Sequence, residues 1–574
     1  MKQLTKFLVP YKKLLIIGPT FKLFEAILEL LLPFLMSKVI DVGVANGDKK
    51  YILSMSALML FISVVGVICA LVCQYSASLV SQGVGGDIRN AMFSHIGTLS
   101  NAEIDSIGTS SLVNRITGDI NQLQLAVAML IRLVIRAPFL CIGGLIMAFI
   151  IDVKLSIIML IVLPIFIIIL MLTMTKSVPL YKVVQKKLDD IALILRENLS
   201  GIRVIRAFSR VDYEKQRFSK SNKEYVDNAI KVGRVSALLN PLTNLVMNFS
   251  IGAIIWFGGV RVNSGSMTTG GVIAFIGYVT QILAALIVIS NLVVIFTKAF
   301  ASAGRVVEVF DTKPSIVDSV EEVDKVETET IVEFKDVAMS YKAGANPSVK
   351  NISFSVKRGE TIGFIGGTGS GKSTIINLIP RFYDISQGTV YVEGINVKDY
   401  PIQELRNKIG IVPQKTVLFT GTIMENIKMG KQDATKEEVV MAATIAQAEE
   451  FINKLPEGYD TKISRGGVNV SGGQRQRLTI ARALVGSPEI LILDDSFNAL
   501  DFVTDAALRK AIKTHTNDMT TFIVSQRAST IRNADQIIVL NEGEIAGIGK
   551  HEELIKNCTV YIEICQSQEM SPED

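Results

Sequence analysis

The chain has 574 residues, too many for one ordinary domain; 49% of them are hydrophobic and 20% are charged. This composition excludes a disordered chain and a collagen-like one. The formal net charge of +5 hides an asymmetry, because residues 1–315 carry 31 basic and 18 acidic side chains, whereas residues 316–574 carry 28 and 36. A basic, apolar first part and an acidic second part predict a membrane domain joined to a soluble one, and imply no nucleic-acid partner.

Long apolar stretches predict six membrane-spanning helices in residues 1–315. A span needs about 20 helical residues, and four stretches of sufficient length contain no charged residue: 51–86, 155–175, 235–260 and 262–297. Two further spans are predicted at 14–36 and 130–151, although both include charged residues. The first domain is therefore predicted to be an all-α, six-helix transmembrane domain.

Basic residues set the expected orientation of these spans. The connection 177–234 is rich in Lys and Arg, and 87–129 carries two arginines, whereas the short connections are poor in charge. The positive-inside rule then places the N-terminus and both long connections in the cytoplasm. Both connections are helical in pattern, so we expect long cytoplasmic helices that continue out of the membrane.

The pattern changes near residue 315. Residues 316–330 are polar and acidic without apolar periodicity, which is typical of a linker. From residue 331 to residue 574, short apolar strands alternate with helical patterns, which predicts an α/β domain. The predicted strands are Ile331–Phe334, Thr361–Ile365, Thr389–Val392, Ile409–Val412, Ile490–Leu493, Thr521–Val524 and Gln536–Val539.

A glycine-rich segment after one predicted strand has the pattern of a phosphate-binding loop, G-x-x-x-x-G-K-[ST]. Its glycines let backbone N–H groups point at phosphate oxygens, and the following helix N-terminus adds partial positive charge. Lys372 is predicted to reach the β- and γ-phosphates, and Ser373 to ligate Mg²⁺. The predicted nucleotide-binding residues are Gly367, Thr368, Gly369, Ser370, Gly371, Lys372, Ser373 and Thr374.

Two carboxylates follow a second apolar strand. Asp494 and Asp495 end the run Leu491–Leu493, about 120 residues after the loop, a separation that fits many phosphate-loop ATPases. Asp494 is suited to Mg²⁺, directly or through water. We therefore predict a phosphate-loop ATPase domain with ATP and Mg²⁺ as cofactors.

A third motif distinguishes among the families of phosphate-loop ATPases. Ser471, Gly472, Gly473 and Gln474 precede the apolar helix Leu478–Leu484 and form a second predicted anion site. Because one fold rarely needs two such sites for one phosphate chain, this site is expected to face the nucleotide of another subunit. At this point the chain resembles the ATP-binding cassette (ABC) exporter half-transporters, which have six spans followed by one cassette. The resemblance covers nearly the whole chain.

The resemblance implies roles for further residues. Tyr341 matches the aromatic residue that stacks on adenine, and Gln414 matches the glutamine that contacts Mg²⁺ and the attacking water. Asn498 and Asp501 match the loop that crosses the interface between two cassettes. Membrane lipid and small drug-like molecules are the partners that the resemblance implies, in a bacterial cell membrane.

The segments near Glu103–Arg115 and Phe208–Phe218 resemble the short coupling helices that dock on the cassettes. Solvated helical turns are the alternative interpretation of both segments. The sequence leaves the two interpretations open.

Two departures from the family pattern lie at positions that face the γ-phosphate. Asp495 stands where the family usually has Glu, and Gln526 stands where it has His. A carboxylate that is one methylene shorter holds the attacking water poorly, and glutamine cannot carry the charge of an imidazole. With its nearly intact signature, the chain resembles the degenerate-site subunit of heterodimeric multidrug-type exporters. Such a chain needs a non-identical partner with intact Glu and His.

Two alternatives to the heterodimeric exporter remain open. If the altered ATP site still hydrolyses ATP, the chain would fit a homodimeric exporter of lipid or peptide. ATP binding without pumping would fit a nucleotide-gated channel or a regulatory subunit. Transported substrate is not encoded in any recognisable pattern.

Acidic residues in the first predicted span allow two interpretations. Glu25 and Glu29 share one helix face, with Lys22 nearby, and an acid in hydrocarbon is costly. The functional interpretation is a substrate cavity that prefers cationic amphiphiles or couples to protons. The alternative is local pairing, of Lys22 with Glu25 or of either acid with Arg132 or Arg136.

Overall fold

The computed structural model describes residues 2–318, 328–341, 344, 346–497, 500–515 and 518–568. The chain divides into two compact units. One contains residues 1–97 and 110–311, and the other contains residues 98–109 and 312–574. The short segment 98–109 thus belongs with the C-terminal unit although it lies early in the sequence.

The first unit is all helical. Its long helices are Lys12–Lys38, Lys49–Thr98, Ile120–Arg132, Arg136–Ile151, Val153–Ser200, Val211–Ala237, Leu239–Asn263 and Thr269–Asp311. Shorter helical elements are Lys2–Thr5, Lys6–Tyr11, Val39–Val44, Thr109–Asn114, Arg115–Asp119 and Ile202–Ala207. This confirms the predicted helical transmembrane domain.

Five helical segments of the described chain are long and apolar enough to cross a membrane. They are Lys49–Thr98, Thr109–Ile151, Val153–Ser200, Val211–Asn263 and Thr269–Asp311. The first predicted span, 14–36, falls in helix Lys12–Lys38, which differs from these five in carrying Lys22, Glu25 and Glu29 near its centre. The 48-residue helix Val153–Ser200 is about 72 Å long, more than twice the thickness of a hydrocarbon core, as expected of a span with an extension.

A capped and paired carboxylate fixes one helix connection in this unit. Asp152 accepts a 2.8 Å hydrogen bond from the backbone N–H of Leu155 and so caps helix Val153–Ser200. Arg261 donates to the other oxygen of the same carboxylate, at 2.8 Å from its Nε. Because both groups are largely buried, each charge has the partner that burial requires.

The second unit is built from three sheets and the helices around them. Its strands are β1 Thr330–Met339, β2 Val349–Lys357, β3 Thr361–Gly366, β4 Gln387–Val392, β5 Ile395–Asn396, β6 Ile409–Val412, β7 Gly421–Thr422, β8 Lys462–Ile463, β9 Ile490–Asp494, β10 Thr520–Val524, β11 Gln536–Asn541 and β12 Glu544–Gly549. Each of the seven predicted strands overlaps one of these. The expected α/β domain is therefore confirmed.

The helices of this unit surround its central sheet. They are Asn101–Ile107, Lys372–Leu378, Ile402–Asn407, Ile423–Lys428, Lys436–Ile445, Glu449–Asn453, Gly472–Leu484, Phe502–His515, Ala528–Ile531, His551–Asn557 and Thr559–Ser567, with the 3₁₀ turns Gly458–Asp460 and Arg465–Gly467. The central sheet has the order β12-β11-β3-β10-β9-β6. Strands β11, β3, β10, β9 and β6 are parallel, and β12 pairs antiparallel with β11.

An antiparallel sheet of order β2-β1-β4-β5 lies beside the central one. A core of apolar side chains fills the space between them, including the stacked rings of Phe334 and Phe354 at 4.6 Å. Four charged residues at the strand ends connect the two sheets. Glu393 is bound by Arg358 and Lys408, and both cations also contact Glu489.

Candidate nucleotide site

The predicted site residues meet at one edge of the central sheet. Strands β3, β10, β9 and β6 are neighbours and run parallel, so their carboxyl ends lie at the same edge. The pairing places Phe364 opposite Val524, and Val524 opposite Asp494. The phosphate-binding loop, Gln526, the two carboxylates and Gln414 each follow one of these strands, as in other sheets that bind nucleotides at the carboxyl edge.

The loop has the conformation that its glycines allow. Gly369 and Gly371 have φ of +82° and +97°, in the left-handed region. A Cβ on Gly371 would lie 2.4 Å from Cγ1 of Val349, so glycine is required there for both conformation and space. Helix Lys372–Leu378 starts directly afterwards, and the N–H of Ser370 donates to Gly367 O at 3.2 Å.

Lys372 is held inside the loop by backbone oxygens. Its side chain is 8% exposed, and Nζ donates to Gly366 O at 2.8 Å and to Gly367 O at 2.7 Å. Burial lowers the pKa of Lys372, while Asp495 and Asp494 oppose that shift. These carbonyls cannot neutralise the cation, so it can transfer to an anionic phosphate.

Two oxygen ligands suited to Mg²⁺ lie together beside the lysine. The Ser373 hydroxyl donates to Oδ1 of Asp494 at 3.2 Å, and Asp494 is 8% exposed. Burial raises the pKa of Asp494, partly offset by the Ser373 hydrogen bond. Hydroxyl and carboxylate oxygens are hard ligands that fit Mg²⁺. Bound Mg-ATP would supply the γ-phosphoryl group whose hydrolysis releases free energy.

Gln414 and Asp495 form the neighbouring pair. Gln414 Nε2 donates to Oδ2 of Asp495 at 3.4 Å, a long contact. Asp495 has a φ of +50°, a left-handed conformation that aspartate tolerates better than most residues. Its Oδ1 is buried and has no hydrogen-bond partner among the described residues, so this carboxylate can accept another donor. Three or more His, Cys, Asp or Glu side chains do not cluster as a metal site in the described chain.

The aromatic residue predicted to stack on adenine lies next to the loop helix. The Tyr341 and Thr374 hydroxyls are 3.1 Å apart, and the Tyr341 ring is 47% exposed. The rings of Tyr341 and Tyr383 pack edge to face, with centroids 5.0 Å apart at 83°. Tyr383 in turn donates a 2.7 Å hydrogen bond to Oδ2 of Asp105.

Sequence reasoning missed Tyr383. No motif marks it, because it lies in an irregular segment after the loop helix and its two contacts are both distant in sequence. Asp105 lies on helix Asn101–Ile107, within the first predicted coupling segment. Hydrogen bonds from Ser315 and from the N–H of Ile316 to the Ser100 hydroxyl also hold residues 98–109 within the C-terminal unit.

Gln526 follows β10 at the same sheet edge and is exposed. Its carbonyl accepts a 2.7 Å hydrogen bond from Gln568 Nε2, while Gln568 Oε1 accepts from the N–H of Ala528 at 2.9 Å. The Gln568 side chain therefore fixes the backbone of this turn.

The signature forms a separate, well-capped helix start. The Ser471 hydroxyl accepts from the N–H of Gln474 at 3.3 Å, and Gln474 Oε1 accepts from the N–H of Ser471 at 2.9 Å. This reciprocal capping box begins the 13-residue helix Gly472–Leu484, and Gly472 is exposed. In the described chain no hydrogen bond or ion pair joins Ser471–Gln474 to the phosphate-binding loop.

The predicted interface loop is only partly described. Asn498 lies outside the described residues. Asp501 accepts hydrogen bonds from the N–H of Thr504 at 3.0 Å and from its hydroxyl at 2.7 Å. These bonds cap helix Phe502–His515, and the Thr504 side chain lowers the pKa of Asp501.

Glu25 and Glu29 are paired within the first unit. Lys22 Nζ lies 2.7 Å from both carboxylate oxygens of Glu25, and Arg136 donates to Glu29 at 2.7 Å. This is the pairing that the sequence analysis weighed as the alternative to a substrate role. The cavity role stays a prediction.

A membrane-embedded helical unit and a phosphate-loop ATPase unit in one chain define an ATP-driven membrane translocase. The chain matches two family descriptions, ABC transporter transmembrane region over residues 15–286 and ABC transporter over residues 349–498. It is 38% identical over 575 residues to an ABC transporter ATP-binding protein of Bacillus subtilis, covering 99% of this chain and 98% of that one. The chain belongs to the ABC transporter family, and it has the domain arrangement of an exporter.

Other similar proteins differ in the cargo that their names give. An ATP-dependent lipid A-core flippase of Syntrophus aciditrophicus is 34% identical, covering 86% of this chain and 81% of that one. A second Bacillus subtilis protein, provisionally named for multidrug export, is 32% identical with 97% coverage of each chain. A solved bacterial Atm1-family ABC exporter with ATP bound has a TM-score of 0.79 at 24% identity, with 99% of each chain covered, and shows the fold.

Proposed function

We propose that this chain exports small amphiphilic, drug-like molecules as one half of a heterodimeric ABC exporter. In this proposal its own phosphate-loop site binds ATP but hydrolyses it slowly. Its signature completes the site on the phosphate-binding loop of a non-identical partner. Asp495 and Gln526, at the sheet edge that faces the nucleotide, are the observation that carries the proposal.

The geometry of Asp495 favours weak hydrolysis. A water held in line with the γ-phosphate needs a carboxylate close to it, and Asp495 is one methylene shorter than the usual Glu. Its Oδ2 is already 3.4 Å from Gln414 Nε2, and its positive φ fixes where the side chain starts. A misplacement of about 1 Å can lower a rate about 10²-fold.

Gln526 supplies the second argument. Gln568 fixes the backbone of the turn that carries this residue, which follows β10 at the same sheet edge as the phosphate-binding loop. Glutamine donates a neutral hydrogen bond there, whereas histidine can carry charge into the transition state. Two weakened contacts at one phosphate support slow turnover together with retained binding by Lys372.

The signature supports a role at the site of another subunit. Its capping box is complete, and its backbone N–H groups start a 13-residue helix whose first residue is exposed. Such a helix start attracts phosphate oxygens. A good signature combined with a poor catalytic pair is what one half of an asymmetric dimer requires. We place the N-terminus and the cassette in the cytoplasm of a bacterial cell.

A homodimeric exporter of lipid is the second candidate. It is favoured by the flippase similarity, at 34% identity over 86% of this chain. It differs from the first candidate in one measurable respect. A homodimer must hydrolyse ATP without any other subunit.

The test is ATP turnover by the purified full-length chain in lipid. Lys372→Ala serves as the blank, and nucleotide binding is measured separately. We expect binding with negligible turnover, and activity on adding a partner that depends on the partner's catalytic Glu. Turnover of about 1 s⁻¹ or more by the chain alone would overturn the degenerate-site proposal and favour the homodimer.

A further inference from the structure

Four charged side chains are joined by ion pairs within the membrane-spanning unit, and a fifth, Arg132, lies one turn before Arg136 in the same helical segment. Helix Lys12–Lys38 contributes Lys22, Glu25 and Glu29, and helices Ile120–Arg132 and Arg136–Ile151 contribute one arginine each. Arg136 bridges the cluster, with Nη2 2.7 Å from Glu29 and Nε 4.0 Å from Glu25. We call these five residues the charged cluster.

The charged cluster has more positive than negative groups. Three cations face two carboxylates, and Lys22 and Glu25 are only 14% and 15% exposed. An uncompensated charge at membrane depth is costly and needs a counter-ion.

Arg132 is the source of the excess positive charge. It has no hydrogen bond or ion pair to any described residue, and its Nε is fully buried. The Nε of Arg136 is also buried without a hydrogen-bond partner. Two guanidinium groups one helical turn apart thus keep donors that no described group of this chain satisfies. Buried donors of this kind are normally paired.

The backbone is irregular between these two arginines. Helix Ile120–Arg132 ends, a turn covers residues 133–135, and helix Arg136–Ile151 follows. Pro138 lies in the first turn of the second helix, where its missing N–H is tolerated. Irregular backbone at membrane depth occurs where protein or a wet cavity lines it, not lipid tails.

We propose that the charged cluster binds the phosphate or carboxylate headgroup of an anionic amphiphile, and this inference rests on the proposed export function. Planar guanidinium groups donate paired hydrogen bonds to these headgroups, and the apolar helices accommodate the attached chain. The sign is opposite to the cation preference that Glu25 and Glu29 suggest from sequence alone. Both acids are already occupied by Lys22 and Arg136.

Binding of dodecyl phosphate to the full-length protein, with any subunit that co-purifies, tests the inference. The protein is placed in phosphatidylcholine nanodiscs without nucleotide, and dodecyltrimethylammonium and dodecyl maltoside are compared at equal concentration. We expect dodecyl phosphate to bind most tightly. Arg132→Gln should weaken it about tenfold or more, the scale of one lost charge-assisted hydrogen bond. Arg132→Lys keeps the charge but not the paired donors, so it should recover only part of the affinity.

Two further variants separate the cluster from general effects of charge. Lys176→Gln removes one exposed cation elsewhere in a long helix and should leave binding unchanged. Glu29→Gln releases Arg136 and should tighten dodecyl phosphate binding, so the inference can be tested even if Arg132→Gln folds poorly. Competition by phosphatidylglycerol in the nanodisc would assign the headgroup to a membrane lipid. No competition would assign it to an amphiphile from solution.

Equal affinity of Arg132→Gln and the parent protein for dodecyl phosphate would overturn the inference, as would tighter binding of the cationic amphiphile. Failure of this inference can be distinguished from failure of the export proposal. ATP-driven transport with no anion preference would refute the binding role of the charged cluster and leave the export proposal standing. Anion binding that depends on Arg132, without any ATP-driven transport, would support the binding role of the charged cluster and refute the export proposal.

Discussion

The Tyr383 hydroxyl donates to Asp105 at 2.7 Å, while the rings of Tyr383 and Tyr341 pack edge to face. One side chain therefore joins the residue expected to stack on adenine to helix Asn101–Ile107. A seven-residue helix is not stable alone in water, so its order depends on such contacts. Nucleotide stacking on Tyr341 would reach this helix through a single intermediate ring.

Tyr383→Phe should separate the two functions of this side chain. The ring contact with Tyr341 stays, so ATP affinity should change less than about threefold, while loss of the hydrogen bond should lower local stability by about 1 kcal/mol. Hydrogen exchange of residues 101–107 measures this as faster exchange. Burial and Asp105 raise the pKa of Tyr383, so the effect should not vary between pH 7 and pH 9. Unchanged exchange in Tyr383→Phe would contradict the prediction.

Gly371→Ala should abolish nucleotide binding through the loop conformation. The added methyl would lie 2.4 Å from Val349 and would force alanine to adopt a φ of +97°. A strained φ alone costs about 1–3 kcal/mol. Gly367→Ala is the matched control for folding, because the space around that Cβ is open. Binding of a fluorescent ATP analogue and thermal unfolding measure the two effects, and normal ATP affinity in Gly371→Ala would contradict this account.

Asp495→Glu combined with Gln526→His should raise ATP turnover by this chain's own site. Restoring both groups that face the γ-phosphate should increase the rate about 10²-fold, provided that a complete signature is supplied from the other side. Asp495→Asn is the control, because it keeps the size and the tolerance for positive φ but removes the charge. Phosphate release measures the rate, and a double variant no faster than the parent chain would refute the degenerate-site explanation.

Glu393→Gln should destabilise the C-terminal unit in a pH-dependent way. Burial opposes ionisation of Glu393, but hydrogen bonds from Lys408 and Arg358 outweigh it and lower its pKa from 4.5 to about 2. A depressed folded-state pKa stabilises the fold above pH 4.5, and this contribution is lost as the pH falls toward 2. At every pH between 5 and 8, the free energy of unfolding of the variant should therefore be about 2 kcal/mol lower than that of the parent protein.

Thermal unfolding of the full-length protein measures this difference. Lys335→Gln is a suitable control, because it removes an exposed cation from a neighbouring strand. A Glu393→Gln deficit that grows below pH 4.5, or that is absent at pH 7, would contradict the prediction.

Sequence periodicity predicted the strands, the phosphate-binding loop and the carboxylates because these signals are local. Lys372 and Asp494 are each identified by a strand and a few neighbours, and parallel pairing then brings them to one edge. The partner of Glu29 was harder to predict, since Arg132 and Arg136 lie one turn apart and either could pair with the acid. Only the packing of two helices decides that Arg136 binds Glu29 and that Arg132 is left over.

The contacts of Tyr383 could not be predicted from the sequence either. Its two partners are 42 residues before it and 278 residues before it, and nothing local indicates either contact. The same holds for Gln568, whose amide fixes the turn at Gln526 from the end of the described chain. Contacts made by single side chains across long sequence separations carry no periodic pattern.

The membership of residues 98–109 in the C-terminal unit has a consequence for synthesis of the protein. Asp105 leaves the ribosome 278 residues before Tyr383. At 5–20 residues per second, that interval is roughly 14–56 s. During this time the short helix has no docking surface, so a nascent chain arrested before residue 383 should be cut by protease at this segment and become protected only after the cassette is made.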